Sequence, residues 1–247
     1  MEIATFASFD GARLNYRTLG AGRPVVLLHG FLANAELNWM APGIGAALAD
    51  AGFLAIAPDM RGHGASIVED DPARFPQDVL ANDVLALIAH LGLSVFDLVG
   101  YSMGARAAVR MLVRGATPRR CVLGGMGDAG VTSPERRIAY FERLLGPDSE
   151  SADPKAAARV AQLLAWTGGD RAQVLRALAT QPATTPEELG RLTTPILVLC
   201  GVDDSDNGSA EALAAMLANA RAERTPGDHA TAVMAPEFAA AILAFLR

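Results

Sequence analysis

The 247-residue sequence has only two cysteines, Cys121 and Cys200, each inside an apolar strand-like run, Cys121-Val122-Leu123 and Ile196-Leu197-Val198-Leu199-Cys200. Two isolated thiols supply neither a zinc ligand set nor a disulfide framework, and each reads as a small buried hydrophobe. The histidines His29, His63, His90 and His229 are scattered, with no H-E-x-x-H pattern to place two on one helical face. No metal and no cofactor is therefore expected. Long runs of one charge are also missing. The formal charge of −6 is dispersed, leaving no basic footprint for nucleic acid and no polybasic patch for a membrane surface. No segment has the length of an apolar bilayer span, and Met1 to Asp10 lacks a basic start followed by an apolar stretch. The expectation is a soluble cytoplasmic protein acting on a small molecule, with nothing in the residues to specify an oligomeric state.

What is present suits one large core, since 51% of residues are hydrophobic and 19% charged. Alternating residues flank Asp10-Gly11, with Ile3, Thr5 and Ala7 before it and Leu14, Tyr16 and Thr18 after it, which predicts a hairpin. From Pro24 onward, short continuous apolar runs predict strands covered on both faces at Val25 to Leu28, Leu54 to Ala57, Phe96 to Val99, Cys121 to Leu123 and Ile196 to Leu199. Helical spacing fills the gaps at Ile44 to Asp50, Gln77 to Leu91, Met103 to Arg114, Ser209 to Leu217 and Pro236 to Leu246. This alternation predicts an α/β fold with a mostly parallel sheet. It breaks between the strand near Gly125 and the one at Pro195, where only helix-like pieces occur, around Pro134 to Leu145, Pro154 to Trp166 and Asp170 to Ala179. Residues 131–192 are therefore read as a helical insertion over the strand ends, dividing a core formed by 1–130 and 193–247.

Gly100-Tyr101-Ser102-Met103-Gly104 directly follows an apolar run and opens a helical one, so Ser102 falls on a strand-to-helix turn that would hold its hydroxyl above the sheet. A serine there needs a base and an acid. His229, in Pro226-Gly227-Asp228-His229, follows the extended piece Arg221 to Thr225 and comes downstream of the serine, as the order Ser, acid, His requires. The acid must come from Asp203, Asp204 or Asp206, which cluster just after the strand ending at Leu199, and one residue of loop register decides which carboxylate points inward. Two backbone donors should face a developing oxyanion. The Met103 amide, at a helix start, is one, and the Phe31 amide, in His29-Gly30-Phe31, is the other. His29 reads as a residue that shapes this loop.

These motifs together resemble the α/β-hydrolase fold superfamily across nearly the whole chain: His29-Gly30-Phe31, the segment Ala57-Pro58-Asp59-Met60-Arg61-Gly62-His63-Gly64-Ala65-Ser66, the elbow Gly100 to Gly104, Gly201-Val202-Asp203-Asp204, and Gly227-Asp228-His229. The resemblance implies an eight-stranded, mostly parallel sheet flanked by helices, with a small helical cap between the sixth and seventh strands. It implies Asp204 as the acid, three residues after the strand-end glycine, with Asp203 the alternative, and a structural His63. A serine at the elbow sets the chain apart from the haloalkane dehalogenases and epoxide hydrolases, whose nucleophile is an aspartate. The implied activity is that of a carboxylesterase or lactonase working through an acyl-enzyme on Ser102. The alternatives are a carbon-carbon bond hydrolase, a cofactor-free perhydrolase, and a receptor that binds without turnover. There is no lipase-type His-Gly-Gly-Gly run. Besides Phe31, the expected pocket walls are Tyr101, Met126 and Trp166, and each of the four has core packing as its alternative.

Overall fold

Asp10-Gly11 separates β1 (Glu2–Ala7) from β2 (Arg13–Gly20), which pair antiparallel with Ala7 opposite Arg13. This is the predicted hairpin. The computed structural model describes residues 1–146 and 153–247. The remaining strands are β3 (Arg23–Leu28), β4 (Phe53–Pro58), β5 (Asp97–Tyr101), β6 (Cys121–Gly124), β7 (Ile196–Gly201) and β8 (Ala220–Thr225). They form one eight-stranded sheet in the order β1-β2-β4-β3-β5-β6-β7-β8. Pairing is antiparallel at β1/β2 and β2/β4 and parallel from β4 across to β8.

Every residue of β5, β6 and β7 is buried, which explains their continuous apolar runs: helices cover both faces. Alternate residues of each strand serve opposite faces. Val26, Leu28, Leu98, Leu123 and Val198 pack with the helices Val79–His90, Met103–Val113 and Ala210–Met216. On the other face Val25, Leu27, Val99, Val122 and Leu197 pack with Ile44–Asp50 and Pro236–Leu246. All five helices stand where the apolar spacing puts them, with ends shifted by at most two residues. Half of the edge strand β8 is charged, at Arg221, Glu223 and Arg224, which discourages pairing with another chain. Cys121 and Cys200 are free and buried, and burial pushes both thiols up, Cys200 to about 11. Among the described residues no helix is long and apolar enough to cross a membrane.

Between β6 and β7 the chain is helical, as its pattern suggests: Asp128–Thr132, Glu135–Leu145, Pro154–Thr167, Arg171–Ala179 and Pro186–Gly190. The first and last are too short to show a periodic stripe and were not predicted. Residues 147–152 of the expected insertion lie outside the described residues. Asp153 and Asp170 cap the helices that follow them, and Thr185 with Glu188 forms a capping box. The insertion is held over the loops that leave β3 and β4. Leu32 packs with Leu145, Leu164 and Val174, while the Gln173 side chain bonds both the amide and the carbonyl of Val68, at 3.0 and 2.9 Å.

Candidate active site

Ser102 sits between the end of β5 and the first turn of the helix Met103–Val113, with φ 51° and ψ −111°. Such a backbone is strained for a residue with a side chain and persists only where its surroundings enforce it. Two glycines make that possible. A Cβ on Gly100 would stand 2.4 Å from the Gly104 carbonyl oxygen, and one on Gly104 would stand 2.1 Å from the Leu28 carbonyl oxygen. Without either glycine, the helix could not approach the sheet this closely.

The fold brings three of the anticipated side chains together. His229 Nε2 lies 3.0 Å from Ser102 Oγ, and His229 Nδ1 lies 3.0 Å from Asp204 Oδ2. Since the carboxylate can only accept, Nδ1–H donates to Asp204, leaving the Nε2 lone pair for the serine hydroxyl. Asp204 is buried, and its Oδ1 also accepts from the Asp206 amide at 3.2 Å. Asp203 and Asp206 are exposed, and Asp206 instead pairs with Arg137 at 2.9 Å. The loop register is set by backbone bonds, Asp203 N–H to the Gly227 carbonyl and Asp204 N–H to that of Gly201, which turn the second of the adjacent aspartates inward.

The loop after β3 lies against the serine: a Cβ on Gly30 would be 3.6 Å from Ser102 Cβ. The Gly30 amide is taken by Asn38 Oδ1 at 2.8 Å, whereas the amides of Phe31 and Met103 donate to no described residue. Two free donors thus flank Ser102. His29 is buried and fully used, with Nδ1–H donating to the Gly30 carbonyl at 2.8 Å and Nε2 accepting from the Met60 amide at 2.8 Å. It fixes the loop, and burial holds its pKa below the usual imidazole range. His63 is also buried beside it, and burial, with the neighbouring His29 imidazole second, pulls its pKa down to about 3. Among the described residues no three His, Cys, Asp or Glu side chains come together as a metal-binding group.

Three of the four expected pocket walls stand elsewhere. Tyr101 is buried behind the site, packed on Phe238 and His229, and its hydroxyl donates to the His229 carbonyl at 2.8 Å. A strand residue next to Ser102 points to the opposite face of the sheet, so Tyr101 supports the histidine loop instead of lining a pocket. Met126 is wholly buried in the apolar cluster under the sheet's other helices. Trp166 is 72% exposed, because Ala157, Leu164 and Thr167 form the inward face of its helix, so it is neither wall nor core. Only Phe31 remains at the site mouth, its ring 4.5 Å from that of Phe141. The sequence reading missed Phe141 and Arg137, because five of the eleven residues of their helix are charged and only the contacts with Phe31 and Asp206 show which of its side chains reach the site.

A family model described as alpha/beta hydrolase fold matches residues 23–122. Two relatives are a non-heme chloroperoxidase of Kitasatospora aureofaciens, 38% identical over 44% of this chain, and a soluble epoxide hydrolase of a Corynebacterium strain, 37% identical over 41%. Those matches span only 38% and 34% of the relatives' own lengths. Structural likeness is more extensive: an esterase from Thermogutta terrifontis, solved with malate bound, superposes with a TM-score of 0.77 at 25% identity, covering 100% of this chain and 98% of that one. With the eight-stranded sheet, the strand order and the serine turn already described, the chain has the α/β-hydrolase fold.

Proposed function

We propose that the protein is a serine hydrolase that cleaves a small carboxylic ester or lactone, with Ser102 as nucleophile, His229 as general base and Asp204 as its orienting acid. The observation that carries this reading is the continuous chain Ser102 Oγ, His229 Nε2, His229 Nδ1, Asp204 Oδ2, linked at 3.0 Å on each side of the imidazole. Ser102 Oγ attacks the carbonyl carbon as its proton passes to Nε2. The oxygen that becomes an anion is held by the Phe31 and Met103 amides, the latter at a helix start where the dipole favours negative charge. His229 then returns the proton to the departing alkoxide, leaving Ser102 acylated. Water, deprotonated by the same histidine, opens the acyl-enzyme and releases the acid.

The test pairs covalent labelling by a fluorophosphonate with hydrolysis of an activated ester. Both are expected in the wild type, and Ser102→Ala should lose labelling and lower turnover on the order of a million-fold. Turnover that survives the substitution overturns the assignment, while labelling without turnover of any ester favours a receptor. A second reading is supported by the chloroperoxidase relative. Hydrogen peroxide would replace water in the second step and release a peracid. Peracid formation from acetate and peroxide exceeding ester hydrolysis would favour it.

A further inference from the structure

Arg106 is the fourth residue of the helix that begins beyond Ser102, and its side chain is only 2% exposed. Among the described residues, its Nε and Nη1 are buried without any hydrogen-bond partner. The other buried arginines are placed differently: Arg61 grips Asp83 and Asp10, and Arg110 grips Asp78 through two bonds of 2.9 and 3.0 Å. A guanidinium keeps its charge when buried. Burial, and secondarily the Arg137 charge, pulls Arg106 down to about 10, still protonated at neutral pH. A buried cation with no counter-ion is strongly unfavourable, and an orphan of this kind in a folded protein calls for a partner.

Long helical side chains lean toward the helix N-terminus, here toward Ser102. Gln181 Nε2 donates to the Met103 carbonyl at 3.2 Å, while Gln181 Oε1, like the arginine, is buried with no partner among the described residues. Arg137, the charge that Arg106 feels, is held by Asp206 in the acid loop and lies 4.9 Å over the Phe141 ring, which in turn touches Phe31. Arg106 itself is thus set by two things, its place one turn after Ser102 on the helix and the nearby charge of Arg137, which is tied to the acid loop.

We infer that Arg106 receives a carboxylate carried by the substrate, so that the enzyme acts on half-esters of dicarboxylic acids or on lactones bearing a free carboxylate. This rests on the serine-hydrolase reading for the reaction, but not for the binding. A planar guanidinium pairs with a carboxylate through two parallel N–H to oxygen bonds, and a single enclosed cation matches a single negative charge. Water is largely excluded from this position, so the pair would also discriminate strongly against neutral substrates, which leave the cation unmatched.

The test measures kcat/KM for the mono-4-nitrophenyl esters of malonic, succinic, glutaric and adipic acids, each against the uncharged alkyl ester of equal length. The wild type should prefer one chain length of the charged series by at least about tenfold, since a fixed cation and a fixed serine define one span. In Arg106→Met that ratio should fall about tenfold, to near one, and the length optimum should vanish, while Arg106→Lys, which keeps charge but loses the fork, should restore part of it. A parallel loss on charged and neutral esters would mean that Arg106 only reorients onto Gln181 and is structural, which overturns the proposal. Binding is read separately by titrating Ser102→Ala and wild type with glutarate and with inorganic phosphate. Glutarate binding retained in Ser102→Ala supports the subsite even if no ester is hydrolysed. Absence of binding by every dicarboxylate of the series to the wild type overturns it, as does binding of phosphate alone. If Arg106→Met does not fold, the wild-type length profile and titrations still decide.

Discussion

Two adjacent aspartates, alike in chemistry, separate completely at the residue scale: Asp204 is buried against His229 and Asp203 is exposed. Asparagine at the orienting position keeps the shape but favours the wrong imidazole tautomer, which in serine proteases lowers kcat about ten-thousand-fold. Asp204→Asn should therefore lower ester turnover by roughly that factor, and Asp203→Asn should change it less than about threefold, as surface substitutions away from such features do. Steady-state rates of the two variants check this, and a crippled Asp203→Asn would reverse the assignment. Tyr101 belongs to the same scale. Its hydroxyl spans from β5 to the His229 carbonyl, so Tyr101→Phe should destabilise the fold by about 1 kcal/mol, the net worth of one hydrogen bond, measurable by urea unfolding.

Among the elements, the helices between β6 and β7 carry the side chains that approach the site from above without carrying its hydrogen-bonded chain. They are short, so most of their stability comes from packing on the loops after β3 and β4 and little from the helices themselves. We expect this insertion to act as a cap that sets which acyl groups enter, with Phe141 as its inward residue and Trp166 as a bystander. Phe141→Ala removes the ring that packs on Phe31 and should extend the accepted acyl length, while Trp166→Ala should leave both the acyl profile and stability unchanged within about 0.5 kcal/mol. Acyl-length profiles on the two variants, with thermal melts alongside, decide the matter. A profile that moves with Trp166 and stays fixed with Phe141 would reverse which face of the insertion looks inward.

For the whole molecule, the segment Asp59 to Ser66 acts as a buried knot. Asp59 accepts from the amides of Ala35 and Ala65, and Arg61 joins the β1/β2 turn through Asp10 to the helix Val79–His90 through Asp83. The knot makes stability depend on pH in two windows. His29 and His63 are held neutral when folded but take up protons near pH 6.5 when unfolded, so their contribution is complete above that value and is lost as pH falls. For His63 alone the loss between pH 8 and 5 is about 2 kcal/mol, because its folded pKa near 3 keeps it unprotonated throughout. The hydrogen bond from Arg61 holds Asp10 down to about 2, so a further loss begins below the ordinary aspartate range, near pH 4. Urea unfolding at pH 8, 6.5 and 5 should show the first loss, and His63→Asn should flatten it. An unchanged slope in that variant would mean that His63 is not kept neutral in the folded chain.

Local pattern determined much of this protein without help from tertiary structure. Strands buried on both faces must be continuously apolar, helices on a sheet need a stripe, and a serine turn needs glycines on either side, so β3 to β7, five helices and the Gly100 to Gly104 elbow were all legible. Order along the chain also singled out His229. Tertiary structure alone decided matters of direction. Which aspartate turns inward depends on backbone bonds between two loops that are distant in sequence, Asp203 to Gly227. Tyr101 faces away from the substrate side because β-strand neighbours alternate, and Trp166 faces solvent because the inward stripe of its helix runs through Ala157, Leu164 and Thr167. Arg106 carries no signal in the chain at all. A charged residue four positions after the serine reads as a solvated helix face, and only the packing of other segments around it turns it into a buried cation whose Nε and Nη1 have no partner among the described residues.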